Sequence, residues 1–237
     1  FADLIKKIND LPKNFWIRFT SPHPAQITDR FIQTLAQCQK VTPYINLPMQ
    51  SGDDTILRKM NRPYSIKKYR EIVKKLRAAF KKYRSGLEAE LAISTDVIVG
   101  FPNETKKQFM HTAANFEHLG FDMAFLAEYS PRPHTPAAKQ DNIPNDEKKR
   151  RYRILNQILG QTALAKNRKY KNKIAATLVS SQIEKNRRQF CFGKTRSNKT
   201  VGFIVPEKIS NLSGHFVNVK IKKISPWGLY GEFVSLI

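Results

Sequence analysis

Residues able to hold a polar ligand gather at the ends of four apolar runs. Ser21 and His23 stand at the end of Phe15–Ser21 (FWIRFTS), and Gln50 and Ser51 at the end of Thr42–Gln50 (TPYINLPMQ). Asp96 and Gly100 belong to Leu91–Gly100 (LAISTDVIVG), and Ser130 and Arg132 follow from Phe121–Ser130 (FDMAFLAEYS). An amide, a hydroxyl and a carboxylate can fix a ligand's orientation, and a glycine lets it approach the backbone. Arg132 can pair bidentately with a carboxylate or phosphate. Plainer readings stand beside these: Asp96 can bond a neighbouring loop, and Arg132 can anchor the Pro-rich segment 131–144 (PRPHTPAAKQDNIP). No residue carries a signature that assigns it a catalytic role. His23 lies between two prolines with no second His or Cys at ligand spacing, so no metal site is expected. Cys38 and Cys191 stand far apart without a CxxC partner. That usage points to a reducing compartment, and two thiols cannot ligate an iron–sulfur cluster.

The four runs need elements to position them. A helix opened by Thr28 would turn Phe31, Ile32 and Leu35 inward, and a short one would be capped by Asp53 or Asp54. Ser65 opens a longer helix with Tyr69, Ile72, Val73, Leu76 and Phe80 at helical spacing. Thr105 and Gln108 stand in capping-box spacing before Phe109, Ala113 and Phe116, and Gly120 stops that helix. Strands alternating with helices predict an α/β fold: a partial parallel (βα) barrel of about four units. Such sheets place chemistry at the strands' C-terminal ends, where the polar residues lie. Phe31, Tyr69, Phe80, Phe109 and Phe116 are assigned to the core, with Cys38 as a small buried group. A helix over 145–169 follows, with Ile154, Leu155, Ile158 and Leu159 as its stripe. Beyond residue 170 Val217, Val219 and Ile221 alternate with polar residues, and the texture predicts a small five-stranded β-barrel.

The chain carries 42 Lys+Arg against 19 Asp+Glu, a net +23 over 237 residues. Residues 1–165 hold 27 basic and 16 acidic side chains, and residues 166–237 hold 15 and 3, or +12 in the smaller part. A Lys-rich composition throughout could account for some of the first excess; the second has the density of a polyanion-binding module. Arg187, Arg188, Lys194, Arg196 and Lys199 are assigned to RNA contacts. Phe190 and Phe192, interleaved with them, are expected to fill the barrel. Hydrophobic residues at 41% argue against disorder, and no run reaches the ~18 apolar residues of a bilayer span.

Asn46–Asp54 (NLPMQSGDD), followed by Met60-Asn61-Arg62, resembles the radical S-adenosylmethionine (SAM) methylthiotransferases of the MiaB type. Arg18–Pro24 (RFTSPHP), Ser94–Glu104 (STDVIVGFPNE) and Tyr129–Ala138 (YSPRPHTPAA) resemble three further blocks of that family, in order and spacing. Gly193–Lys199 (GKTRSNK) and Gly228–Glu232 (GLYGE) resemble its closing TRAM domain. Asn103 and His134 stand where the family has glycine; Asn tolerates positive φ, whereas His134 puts that backbone geometry in question.

The resemblance implies a radical SAM core over 1–165 and an OB-like TRAM RNA-binding domain over 166–237. It implies SAM on Gln50, Ser51, Asp96, Gly100 and Arg132, with the Ile98–Glu104 turn beside the adenine. Two [4Fe-4S] clusters would have their ligands outside this chain, upstream of Phe1, so that the chain is expected to be a C-terminal fragment, inactive alone. The implied reaction adds a methylthio group at C2 of N6-isopentenyladenosine next to the anticodon. The implied setting is a cytoplasmic monomer, away from membranes, whose partner is the tRNA anticodon stem-loop. Sister enzymes act on threonylcarbamoyl-adenosine in tRNA or on a ribosomal-protein aspartate. The wording Leu47–Gly52 and the basic tail favour the isopentenyl substrate. If the gene product is naturally this short, the alternative is a non-catalytic RNA-binding protein on a decayed scaffold. A CxxxCxxC in frame upstream would decide against it.

Overall fold

The computed structural model describes residues 1–185, 188–205 and 211–237. Strands Tyr44–Asn46 (β1), Ala92–Val99 (β2) and Met123–Glu128 (β3) form a parallel sheet in the order β1-β2-β3. β2 reads as a near-continuous β-branched run because it is the central strand. β1 is much shorter than its apolar run. Pro48 has no N–H to give the ladder, so beyond Asn46 the pairing thins to Leu47 N–H to Ser94 O, Gln50 N–H to Asp96 O and Ile98 N–H to Gln50 O. The first expected strand is absent among the described residues: Phe15–Ser21 makes one parallel bridge, Ile17 to Val41. The sheet therefore has three strands with a bridged edge instead of four full units.

Helices Ala2–Asn9 (α1), Asp29–Gln37 (α2), Asp54–Lys59 (α3), Ile66–Tyr83 (α4), Lys106–Leu119 (α5) and Asn145–Asn167 (α6) complete this part. Their starts follow the local chemistry. Thr28 accepts from Phe31 N–H, Asp53 from Thr55 and Ile56 N–H, and Ser65 from Lys68 N–H. Thr105 and Gln108 form the reciprocal capping box, and Gly120 ends α5 at φ 56°. Phe31, Tyr69, Phe80, Phe109 and Phe116 are all buried with Ile93, Val97 and Val99 in one core, as is Cys38.

Ile174–Lys185 (β4), Arg188–Thr195 (β5), Thr200–Val205 (β6), Phe216–Ile224 (β7) and Leu229–Leu236 (β8) close into a barrel, ordered β4-β5-β6-β8-β7. Only β6 and β8 pair in parallel. Cys191, Val201, Phe203, Val217, Val219, Ile221 and Leu229 fill the interior. A Cβ on Gly193 would stand 2.4 Å from Leu178 O, so only glycine lets β4 and β5 meet there. Cys191 takes the inward position of its strand, and Phe190 and Phe192 therefore face outward. The expectation that these phenylalanines fill the barrel is corrected: the interior was already full.

The barrel docks at the end of the sheet where the strands begin. Trp16 packs on Phe216 with ring centroids 4.8 Å apart, and Arg18 donates to Thr195 O at 2.7 Å and Asn198 Oδ1 at 3.1 Å. Arg196 pairs with Glu88 at 2.8 Å and stacks over Trp16. Lys199 is buried and donates to Asp122 Oδ1 at 2.7 Å. Asp122 in turn accepts from Ile93 N–H at 3.0 Å. Arg196 and Lys199, read from the sequence as free RNA contacts, thus face carboxylates within the molecule.

Candidate functional site

Period two along β2 divides its residues between two faces. Ile93, Thr95, Val97 and Val99 lie under the helices, and Ser94, Asp96 and Ile98 face the concave side. Register brings Asn46 of β1 and Met123 of β3 level with Ser94, and Phe125 level with Asp96. A hydrogen-bonded ladder crosses this face. Tyr44 OH and Ser94 Oγ are 2.7 Å apart, and Ser94 Oγ donates to Asn46 Oδ1 at 2.6 Å. Asn46 Nδ2 donates to Ser21 Oγ at 2.7 Å and Asp96 Oδ2 at 2.8 Å. Beside these polar groups the Phe125 ring is 55% exposed.

Asp96 stands where expected, with one carboxylate oxygen oriented by Asn46. Gln50, at φ 64°, is the middle residue of a tight turn in which Ser51 N–H donates to Met49 O at 2.8 Å, a backbone unusual for a non-glycine residue. Its N–H donates to Asp96 O at 2.7 Å and its carbonyl accepts from Ile98 N–H at 3.0 Å. Both of its backbone groups are engaged, and its side-chain amide has no protein partner among the described residues. Ser51 does not join it. Its buried Oγ accepts from Asp53 N–H and lies 3.2 Å from Thr112 Oγ1, so this hydroxyl ties the turn to α5.

Gly100 ends the run at φ 71°, with its N–H donating to Glu104 Oε2 at 2.9 Å. A Cβ there would stand 2.5 Å from Lys148 Cγ. Lys148 is buried against the strand end, donating to Tyr129 O at 3.1 Å and Asp141 Oδ2 at 2.7 Å. Arg151, one turn on, donates to Glu104 Oε2 at 2.6 Å. Burial pushes the Glu104 carboxyl up, against the Gly100 N–H and the Arg151 guanidinium, which favour its charged form. Arg132 is exposed beyond β3, and among the described residues its side chain makes no hydrogen bond to the other four. Asn103 (φ 60°) and His134 (φ 64°) both keep the left-handed backbone their positions require.

Of the five expected ligand residues, Gln50 bonds Asp96 through its main chain and Gly100 directly follows β2, whereas Ser51 is turned to α5 and Arg132 lies beyond β3. Asn46, Ser94, Lys148 and Arg151 escaped the sequence reading. The alternation Tyr44/Asn46 and Ser94/Asp96 was the available signal for the first two; nothing local marks the lysine and arginine on α6. A cavity of about 700 Å³ lies elsewhere, between the barrel and the other end of the sheet, with Gln39, Arg84, Tyr170 and Arg196 among its lining. Arg187 lies outside the described residues; Arg188 opens β5, and Lys194 is half-buried with its Nζ donating to Thr200 Oγ1 at 2.8 Å.

The radical SAM superfamily profile matches residues 1–115. The tRNA-2-methylthio-N(6)-dimethylallyladenosine synthase of Clostridium botulinum (strain Langeland) is 39% identical over 233 residues, covering 98% of this chain and 49% of that protein. Residues 1–115 belong to the radical SAM superfamily. The Bacillus cereus (strain AH187) protein of the same name is 40% identical to this chain over 220 residues, 92% of the chain and 41% of the relative. The chain thus spans about half the length of the curated relatives it matches. A solved radical SAM enzyme, the coproporphyrinogen III oxidase of Escherichia coli, superimposes with a TM-score of 0.49 at 12% identity, over 92% of this chain and 51% of its own. Among the described residues no helix is long and apolar enough to cross a membrane. The chain's two cysteines are buried in separate cores, and no group of three or more His, Cys, Asp or Glu comes together among the described residues. An iron–sulfur cluster does not fit on them.

Proposed function

We propose that this chain supplies the SAM-binding face and an RNA-binding barrel of a tRNA methylthiotransferase acting at C2 of N6-isopentenyladenosine next to the anticodon. One observation carries the reading. Gln50, whose side-chain amide has no protein partner among the described residues, sits on left-handed backbone bonded through its main chain to Asp96, in a chain 39% identical over 98% of its length to a synthase named for that product. Residues 1–165 are read as part of the radical SAM core and residues 166–237 as a TRAM domain. The donor set suits SAM: Asp96 for ribose hydroxyls, the Gln50 amide for a polar edge, and the Phe125 ring as a flat wall for adenine. Arg132 is assigned to the carboxylate. Ser51 and Gly100 shape the floor through Thr112 and Glu104 and need not touch the ligand.

SAM, when bound, supplies the methyl group and the superfamily's hydrogen-abstracting chemistry. The [4Fe-4S] clusters this reading requires have their ligands beyond the described residues, and no step is assigned to residues of this chain through them. Its own residues orient SAM and hold the RNA, in a cytoplasmic monomer engaging the anticodon stem-loop. Calorimetric titration of the chain with SAM tests the face. Asp96→Asn and Gln50→Ala should each weaken binding roughly ten-fold, the scale of one lost polar contact. Ser51→Ala should change thermal stability instead. Nucleoside mass spectrometry of tRNA treated with the cluster-loaded full-length enzyme tests the substrate. A methylthio group on threonylcarbamoyl-adenosine instead of isopentenyladenosine would overturn that assignment.

A further inference from the structure

The barrel's outward aromatics form a row. Phe192 of β5 pairs with Gly202 of β6, and Gly202 with Tyr230 of β8, so the three stand side by side on one outer face. Phe192 is 39% exposed and Tyr230 is 50% exposed. A Cβ on Gly202 would lie 3.4 Å from both rings, so the absent side chain leaves a shallow gap between two flat apolar faces. The rings are not surplus core, because Cys191, Val201, Phe203 and Leu229 fill the interior behind them.

The surroundings are cationic. Lys194 lies two residues from Phe192 on the same face, about 7 Å along the strand. Burial, then the nearby Arg18 guanidinium, lower the Lys194 ammonium. Arg18 itself donates to a carbonyl and an amide oxygen, and neither cation has a carboxylate partner among the described residues. Lys223 pairs with Tyr230 across β7 and β8 and is exposed at the other end of the row. Protein-binding surfaces are depleted in lysine, whereas aromatic faces among unpaired cations are what single-stranded nucleic acid uses.

We infer that the Phe192–Gly202–Tyr230 row is a stacking floor for one or two unpaired RNA bases, with Lys194 and Arg18 meeting the adjoining phosphate. The inference rests on the RNA-binding reading of the barrel and adds to it the kind of RNA and the residues that touch bases. Bases inside a duplex already stack on each other and cannot reach such a floor.

Fluorescence anisotropy of the full chain with a labelled adenylate dodecamer, and with the same strand annealed to its uridylate complement, tests it. Phe192→Ala and Tyr230→Ala should each weaken the single strand roughly ten-fold and change duplex binding by less than about two-fold. Tyr230→Phe should restore parent affinity, since the ring face and not the hydroxyl is used. Gly202→Val, which pushes a side chain into the gap, should also weaken the single strand, with circular dichroism confirming the barrel. Equal losses for both RNAs would overturn the floor. So would parent-like single-strand affinity in every ring variant, while salt still weakens binding; the RNA reading would then survive alone. Ring variants that alter self-association but not RNA affinity would make the face a protein contact and sink the inference. If the parent binds neither RNA, both the floor and the RNA reading fall.

Discussion

Gly100 shows how one backbone position can bind the end of a strand to the helix behind it. Its φ of 71° is strained for any other residue except, at some cost, asparagine or aspartate, and Lys148 Cγ occupies the space of a Cβ. The lysine cannot swing aside without giving up Tyr129 O and Asp141 together. Gly100→Ala is therefore expected to destabilise the chain by about 2–3 kcal/mol in urea unfolding. A change below about 0.5 kcal/mol would mean that the strand end is soft. Asp53 gives a second residue-scale expectation. Burial raises its carboxyl, but the His111 hydrogen bond and the Ile56 and Thr55 N–H groups outweigh burial and hold it below its ordinary 3.8. A depressed carboxylate contributes stability that is fully present above its unfolded value and is lost as pH falls through the folded one. Acid unfolding should therefore steepen below pH 3.8, and His111→Ala should reduce that steepening, as thermal melts across pH would record. At this scale the sequence was partly legible. Asn103 advertised its left-handed backbone by its type, whereas His134 and Gln50 adopt the same conformation with no such sign.

Between elements, the decisive partners are far apart in sequence. Lys199 and Asp122 are 77 positions apart, and no local pattern pairs them. The sequence made Arg196 and Lys199 look like part of a basic patch; the fold sends one to Glu88 and buries the other. Lys199→Met should leave Asp122 buried with Ile93 N–H and the more distant Lys166, 3.9 Å away, and lower stability by about 3 kcal/mol. Adding Asp122→Asn, which keeps an acceptor for Ile93, should recover most of that loss. Chemical denaturation of the two variants measures both, and an additive double variant would count against the pair. Strands were legible in proportion to how fully they are covered. β2, under helices on one face and between two partners, announced itself through its β-branched run. Phe15–Ser21 has the composition of a strand but meets a partner at Ile17 only, which composition cannot reveal.

Across the whole molecule, the ring row and the proposed SAM-binding face belong to opposite ends of the sheet. The barrel meets Gln39, Glu88 and Asp122, which precede β1, β2 and β3, whereas Gln50 and Gly100 stand where the strands finish. The eight residues of β2 separate those levels by about 26 Å. An RNA that engages both must reach along the sheet, which suits a folded stem-loop better than a short oligonucleotide. Its affinity should fall with salt, and Lys194→Ala should flatten the log–log slope by roughly 0.7 to 0.9, one phosphate's share. Arg196→Ala and Lys199→Ala should instead lower stability with little change in slope. Filter binding at several salt concentrations separates the two behaviours, and a parent-like slope for Lys194→Ala would remove that residue from the RNA surface.

β8 lies between β6 and β7, parallel to one and antiparallel to the other, and it is the last of the barrel's strands to leave the ribosome. Until it has been made, the nascent barrel carries two bare edges, each able to recruit a strand from another chain. Every earlier strand must wait, and Ile174 cannot be locked into a closed ring until some sixty residues later, roughly 3–12 s of synthesis at about 5–20 residues per second. Translation that stalls just short of Leu229 should therefore leave a product that clumps, whereas stalling before Ile174 should leave only the α/β part exposed to the chaperones.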